Sequence, residues 1–218
     1  MSCEHLVAVL VDGGFITRYV RKALGAGQQL QAVHLLRLSS ACVRTGEELF
    51  RIYYYDCPPF DGKARHPLLK SETNFRNKYF ESRTRFLSEL ACSDHVALRT
   101  GVLSFNGWKL TQRAVGRLLQ GKGTDLEPED VEPDLRQKCV DMKIGLDVAW
   151  LSSKRLVDKI VLVANDRDFI PPMKHARREG VRVVVMEWPG QYRVQPALRE
   201  HADEVRALPT GRDCIEYV

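Results

Sequence analysis

A chain of 218 residues, 44% hydrophobic and 28% charged, has the length for one well-cored domain, or one domain with a lid, and the composition of an ordinary globular protein. No apolar stretch approaches the ~20 residues that span a bilayer, and the apolar run at 6–11 is too short for the core of a secretory signal; no membrane partner and a cytoplasmic location are expected. The formal charge of +5 is unevenly spread: residues 63–122 hold twelve Lys or Arg against four acids, and the rest of the chain is slightly acidic.

In chain order, the run Leu6-Val7-Ala8-Val9-Leu10-Val11 reads as a buried strand ending at Asp12-Gly13-Gly14. Helical stretches are predicted over 16–24 and 28–44, and a strand over 49–55 that ends in Asp56-Cys57-Pro58-Pro59. Pro and Gly crowd 58–67, a surface excursion. An amphipathic helix is predicted over 72–91, with Phe75, Tyr79, Phe86 and Leu90 near one face, then a strand over 96–105 and a short segment 108–110 that extends a hairpin. The stretch 121–134, with two glycines, two prolines and six acids, reads as a solvated loop. A helix over 135–152, a strand over 160–164, a helix over 170–178, a strand over 181–186 and a short helix near 196–204 complete the pattern, followed by a weakly structured tail. Strands alternating with helices predict a three-layer α/β/α domain with a mainly parallel sheet, spanning 5–188, with 189–218 as an extension packing on it or trailing from it.

The six cysteines, at 3, 42, 57, 92, 139 and 214, form no Cys-x-x-Cys pair, and the six histidines form no metal-binding motif; a reduced set of thiols and no zinc chemistry are expected. In the basic stretch, Phe75, Tyr79, Phe80, Phe86, Phe105 and Trp108 are interleaved with the cations. That pattern suits phosphate neutralisation and base stacking on a single strand, with Lys63, Arg65, Lys70, Arg76, Lys78 and Arg83 as candidate contacts. It equally describes a solvated helix face whose apolar side lies in a core.

The acids carry the sharper signal. Asp12 ends one buried strand, and Asp166 and Asp168 follow another in Asn165-Asp166-Arg167-Asp168-Phe169. In open α/β sheets ligands bind at that carboxyl edge. Asp141 lies on the preceding predicted helix, and Asp147, six residues on, is rotated about 120° from it, which suits a supporting rather than a ligating place. Hard Mg²⁺ or Mn²⁺ takes oxygen ligands, and such ions can activate water and stabilise the oxygens of a phosphodiester displacement with no nucleophilic side chain. Singly, each acid has a structural reading: an Asx turn at Asp12, helix caps at Asp166 or Asp168, a dipole-favoured first-turn residue at Asp141.

Val11-Asp12-Gly13-Gly14-Phe15, Lys138-Cys139-Val140-Asp141 with Asp147 downstream, and Ala164-Asn165-Asp166-Arg167-Asp168-Phe169-Ile170-Pro171 resemble, in order and spacing, the NYN domains of the PIN-like nuclease superfamily. The Pro58-Pro59-Phe60-Asp61-Gly62 loop and the basic segment after it resemble a bacterial subgroup of that family. The resemblance, over about residues 5–188, implies a PIN-like (Rossmann-like) fold and a metal-dependent ribonuclease acting on single-stranded or structured RNA, with Asp12, Asp141, Asp166 and Asp168 as the acids for Mg²⁺ or Mn²⁺. It implies Lys138 near the substrate phosphate, Asp147 in support, and a possible homodimer. Two positions depart from the pattern: Phe15 stands where many relatives carry Asn, and Ala164-Asn165 where Ser-Gly is common, with Asn165 a substitute polar group. Two other readings stay open. One is an RNA-binding or scaffold protein that kept the fold and lost the activity. The other is a haloacid dehalogenase-type phosphatase with Asp12 as nucleophile, disfavoured because Gly14 occupies the place of that family's general acid.

Overall fold

The computed structural model describes residues 5–24, 30–122, 125–188 and 192–208, with the backbone alone for 21–24. Cys3, Cys214 and the start of the helix predicted from residue 28 lie outside them. Two compact units are built from interleaved segments, one from 1–56, 86–101 and 139–218 and the other from 57–85 and 102–138.

The first unit holds a six-stranded sheet. Its strands are β1 (His5–Asp12), β2 (Glu47–Asp56), and, further along the chain, β5 (Val96–Thr100), β8 (Lys159–Val163), β9 (Arg182–Glu187) and β10 (Glu204–Ala207). They lie in the order β10-β9-β8-β1-β2-β5, and every pairing is parallel. This is a doubly wound arrangement whose direction of winding reverses between β1 and β8. Both central strands are apolar throughout because both of their faces are covered: Val7 to Val11 and Ile160 to Val163 are at most 1% exposed.

Alternation along the strands divides the layers. Val7, Val9, Val11, Ile52, Tyr54, Val161 and Val163 share a core with residues of α1 (Gly13–Leu24), α2 (Ala32–Ala41) and the last turns of α3 (Lys78–Ala91). Residues of opposite parity are covered by α5 (Val140–Ser153), which packs on β2 and β5, and by α6 (Ile170–Arg178), which packs on β9 and α5. The mixed α/β fold with a parallel sheet between helices is the predicted one.

The second unit consists of two antiparallel ribbons and a helix. The short strands β3 (Lys63–Arg65) and β4 (Glu72–Asn74) pair with each other, and β6 (Val102–Leu110) pairs with β7 (Val131–Lys138). The helix α4 (Gln112–Leu119) is capped by the Thr111 hydroxyl, which accepts from the Ala114 N–H. Gly107, at φ +99°, sits in the bulge that separates Phe105 from Trp108.

Several sequence expectations are corrected here. The helix expected over 72–91 starts at Lys78, because 72–74 form a ribbon strand. The strand expected over 96–105 is two strands in different sheets, divided at Gly101. Residues 131–138 are strand rather than loop and helix start, and α5 begins at Val140. The final helix, α7, covers only Pro196–Arg199, and 204–207 form the edge strand β10. Among the described residues no helix is long and apolar enough to cross a membrane, and Cys92 and Cys139 are exposed free thiols.

Candidate metal centre at the sheet switch point

Register fixes which residues reach the carboxyl edge. Val11 is opposite Val163, and Asp12 is opposite Tyr55, so Asp12, Asp56 and the 164–168 segment leave the sheet side by side. The helix α5 precedes β8, a parallel neighbour of β1, so its N-terminus, with Asp141 in the first turn, returns to the same edge. Its entry is set by Cys139 in the left-handed region (φ +68°), a conformation that costs a non-glycine residue of order 1 kcal/mol.

Each acid is held by its local turn. Asp12 Oδ1 accepts from the N–H groups of Gly14 (2.9 Å) and Phe15 (3.3 Å), capping α1. Asp166 Oδ1 accepts from the Asp168 N–H at 3.0 Å and caps the 3-10 turn Arg167–Phe169. The Asx-turn reading of Asp12 and the capping reading of Asp166 therefore hold, and they orient each carboxylate rather than consume it.

Electrostatics tie the four acids together. Burial pushes the Asp12 carboxyl above its ordinary value, against the two N–H bonds, and the charge of Asp141 adds to the upward shift. Asp141 is also pushed up, first by burial and then by the charges of Asp166 and Asp168. The predicted set thus shares one field of mutual repulsion, with Arg18 of α1 as a weak counter-charge on Asp12. A hard divalent cation is the ligand this donor chemistry fits, since all the donors are carboxylate oxygens. The side chains are nevertheless spread: among the described residues, no three acids, histidines or cysteines converge closely enough to hold an ion.

The other sequence candidates are placed as follows. Asp147 accepts from the Tyr55 hydroxyl (2.8 Å) and from Arg99 Nε (3.0 Å), which locks the middle of α5 to β2 and β5. Burial, and then Asp147, hold the Tyr55 hydroxyl well above its ordinary value, so it stays a neutral donor. Asn165 is tied to the C-terminal segment: its Oδ1 accepts from the Gln195 N–H at 3.1 Å, and Gln195 Nε2 donates to the Asn165 carbonyl at 2.8 Å. Lys138 is the exposed last residue of β7 in the second unit.

All six candidate nucleic-acid contacts also belong to the second unit. Lys63 pairs with Glu72 at 2.7 Å. Arg65 Nε donates to the Lys70 carbonyl. Arg76 grips Asp61 through two 2.6 Å bonds, and its guanidinium lies over the Phe80 ring. Lys78 is exposed and Arg83 half-buried on α3. Of the interleaved aromatics, Phe75, Phe105 and Trp108 pack with Phe60 and His66, and Phe86 packs edge-on against Tyr54. The core reading holds for those rings, whereas Tyr79 is 48% exposed.

Sequence reasoning missed Asp56. It is 4% exposed, accepts from the Tyr54 hydroxyl at 2.9 Å, and lies where a Cβ on Gly13 would stand 2.4 Å from its Oδ2 and 2.7 Å from the Tyr55 carbonyl. Gly13 is required because the end of β2 passes against the start of α1, directly beside Asp12. The available signal was a second strand ending in Asp, which the Pro-Pro after it made look like an ordinary turn.

No curated protein matches this chain. A solved structure of a protein of unknown function from Vibrio parahaemolyticus superposes with a TM-score of 0.52 at 14% identity, covering 96% of each chain, which shows a shared fold. The NYN domain model matches residues 6–209. With the parallel sheet and the acidic motifs in their order, this places the chain in the NYN domain family of the PIN-like nuclease superfamily.

Proposed function

We propose that this protein is a Mg²⁺- or Mn²⁺-dependent ribonuclease, with Asp12, Asp141, Asp166 and Asp168 holding the cation. The observation that carries the reading is the gathering of four carboxylates at the switch point of the sheet, where Asp12 is raised by burial and the charge of Asp141, and Asp141 by burial and the charges of Asp166 and Asp168, with Arg18 the weakest influence on Asp12. Uncompensated carboxylates of this kind cost stability unless a cation neutralises them. When bound, a divalent ion supplies water activation and charge neutralisation at the scissile phosphate.

The chain's own residues do the positioning. The Gly14 and Phe15 N–H groups fix Asp12 Oδ1 and leave Oδ2 to a cation, and the Asp168 N–H does the same for Asp166. Arg18, exposed on the first turns of α1, offers its guanidinium to a phosphate. Lys63, Arg65, Lys70, Lys78 and Arg83 are phosphate contacts carried by the second unit taken by itself, and Lys138 lies immediately before the turn that sets Asp141.

One observation favours the alternative of an RNA-binding protein without activity: among the described residues, no three acids converge as positioned. The deciding experiment is cleavage of end-labelled single-stranded RNA with Mn²⁺, with Mg²⁺ and with chelator. The wild type should cut only with metal, and Asp166→Asn should lower the rate by about a hundredfold or more while leaving the fold unchanged. Metal-independent cutting, or an unimpaired mutant, contradicts the assignment; tight RNA binding with no cutting in any metal selects the alternative.

A further inference from the structure

The two positions that depart from the family pattern, Phe15 and Asn165, line one pocket. Its other walls are Arg18 and Tyr192, and its volume is about 120 Å³. That is well below the roughly 300–1,000 Å³ of pockets for drug-sized ligands, and it suits one planar ring. The Phe15 and Tyr192 rings meet at 62° with centroids 5.9 Å apart, forming an aromatic corner. Asn165 builds the wall: its bonds to Gln195, and the bond from Arg167 Nε to Gln195 Oε1 at 2.8 Å, hold the segment that carries Tyr192. The pocket adjoins the acids by direct linkage, since Phe15 donates to Asp12 and Asn165 precedes Asp166 in the chain. Arg18 Nε is bonded to the Gly14 carbonyl at 3.1 Å, which orients its exposed guanidinium at the mouth.

We propose that this pocket seats one nucleobase of the RNA strand, stacked on the half-buried Tyr192 and backed by Phe15, which lies in the core at 6% exposed, with Arg18 on an adjoining phosphate. The proposal rests on the reading of the chain as an RNA-acting protein and adds to it the subsite that reads the nucleotide beside the cleaved bond. An aromatic face plus a cation is the usual combination for seating a base and its phosphate, and a polar residue at position 15 would provide no such corner. Tyr192 is the side chain to test, because its backbone makes the bridge to Trp188 (2.9 and 3.0 Å) and Tyr192→Phe keeps the ring that packs on the core.

The test is binding of oligoadenylate and of an abasic ribose-phosphate strand of equal length, read by fluorescence anisotropy on Asp166→Asn protein with Mg²⁺, with wild-type cleavage scored in parallel. Tyr192→Leu should weaken oligoadenylate about tenfold and the abasic strand by less than about twofold, Tyr192→Phe should restore the affinity, and Arg18→Gln should weaken both strands alike. Equal losses on the two strands, or no loss on oligoadenylate, overturn the subsite. Failure to bind either strand overturns the subsite and the RNA reading together. Discrimination without wild-type cleavage keeps the subsite and removes the nuclease; cleavage without discrimination does the reverse.

Discussion

The two ends of the six-stranded sheet treat carboxylates in opposite ways. Near the start of β2, Glu47 is 5% exposed in its side chain and is paired with Lys159 and with Arg206, whose nitrogens lie 2.7 and 2.9 Å from its two oxygens. Burial works against its charge, yet the bonds from Arg206 and Lys159 outweigh it and bring the carboxyl down to about 2. At the carboxyl end, Asp12 and Asp141 are pushed up by burial and by other acids. The fold neutralises the acid at one end with its own cations and gathers like charges at the other, the end at which the proposed cation would bind. Sheet topology explains the choice of end, since the switch point between β1 and β8 lies there.

The largest effect that would break this comparison is at the paired end. Glu47→Gln leaves Lys159 buried without its carboxylate and Arg206 with Glu204 alone, and removing one partner of such a group costs about 3–5 kcal/mol; urea unfolding should show that loss. A change under about 1 kcal/mol would mean that the network is not the compensated end described here. Next in size is Gly13→Ala, whose Cβ meets Asp56 and the Tyr55 carbonyl. Overpacking of this kind costs about 1–3 kcal/mol, and because the clash lies beside Asp12 it should also reduce metal-dependent cleavage. The smallest effect has the opposite sign. Asp141→Asn removes a repelling charge, and in metal-free buffer it should raise the melting temperature by about 1–3 °C.

The two ends also give opposite pH slopes. Glu47 has a folded value of about 2, below its ordinary 4.5, so its contribution is complete above 4.5 and is lost as pH falls from 4.5 toward 2. Asp12 and Asp141 have folded values above 3.8, so the native state binds more protons there, and stability falls as pH rises from 3.8 through their folded values. Melting curves across mildly acidic pH should therefore show this decline in the metal-free wild type, and Asp141→Asn should weaken it. A wild type with no decline would put the uncompensated end in doubt.

The acids were legible in the sequence because β1 and β8 carry unbroken apolar runs rich in β-branched residues with abrupt polar ends, so that position in the run already gave position in the sheet. Their mutual repulsion follows from that clustering, but which acid acts on which depends on a register and on the return of α5. The ribbon strand at 131–138 escaped because Val131-Glu132-Pro133-Asp134-Leu135-Arg136-Gln137-Lys138 is mostly polar and holds a proline, which suits a partly exposed two-stranded ribbon. Helical spacing of Phe75 and Tyr79 drew the predicted helix too far back, although Phe75 packs against Phe60 and Phe105 in its own unit. Tyr192 carries no motif at all; contacts distant in sequence, the Asn165–Gln195 bonds among them, bring its segment to Phe15.

The most direct measurement of the central claim is calorimetric titration of Mn²⁺ into the wild type and into Asp12→Asn/Asp166→Asn, with Glu47→Asp as a control at the other end of the sheet. The account predicts saturable binding to the wild type and the control, and none to the double variant. Equal binding to all three, or none to the wild type, would contradict the assignment of the switch-point acids as a cation site.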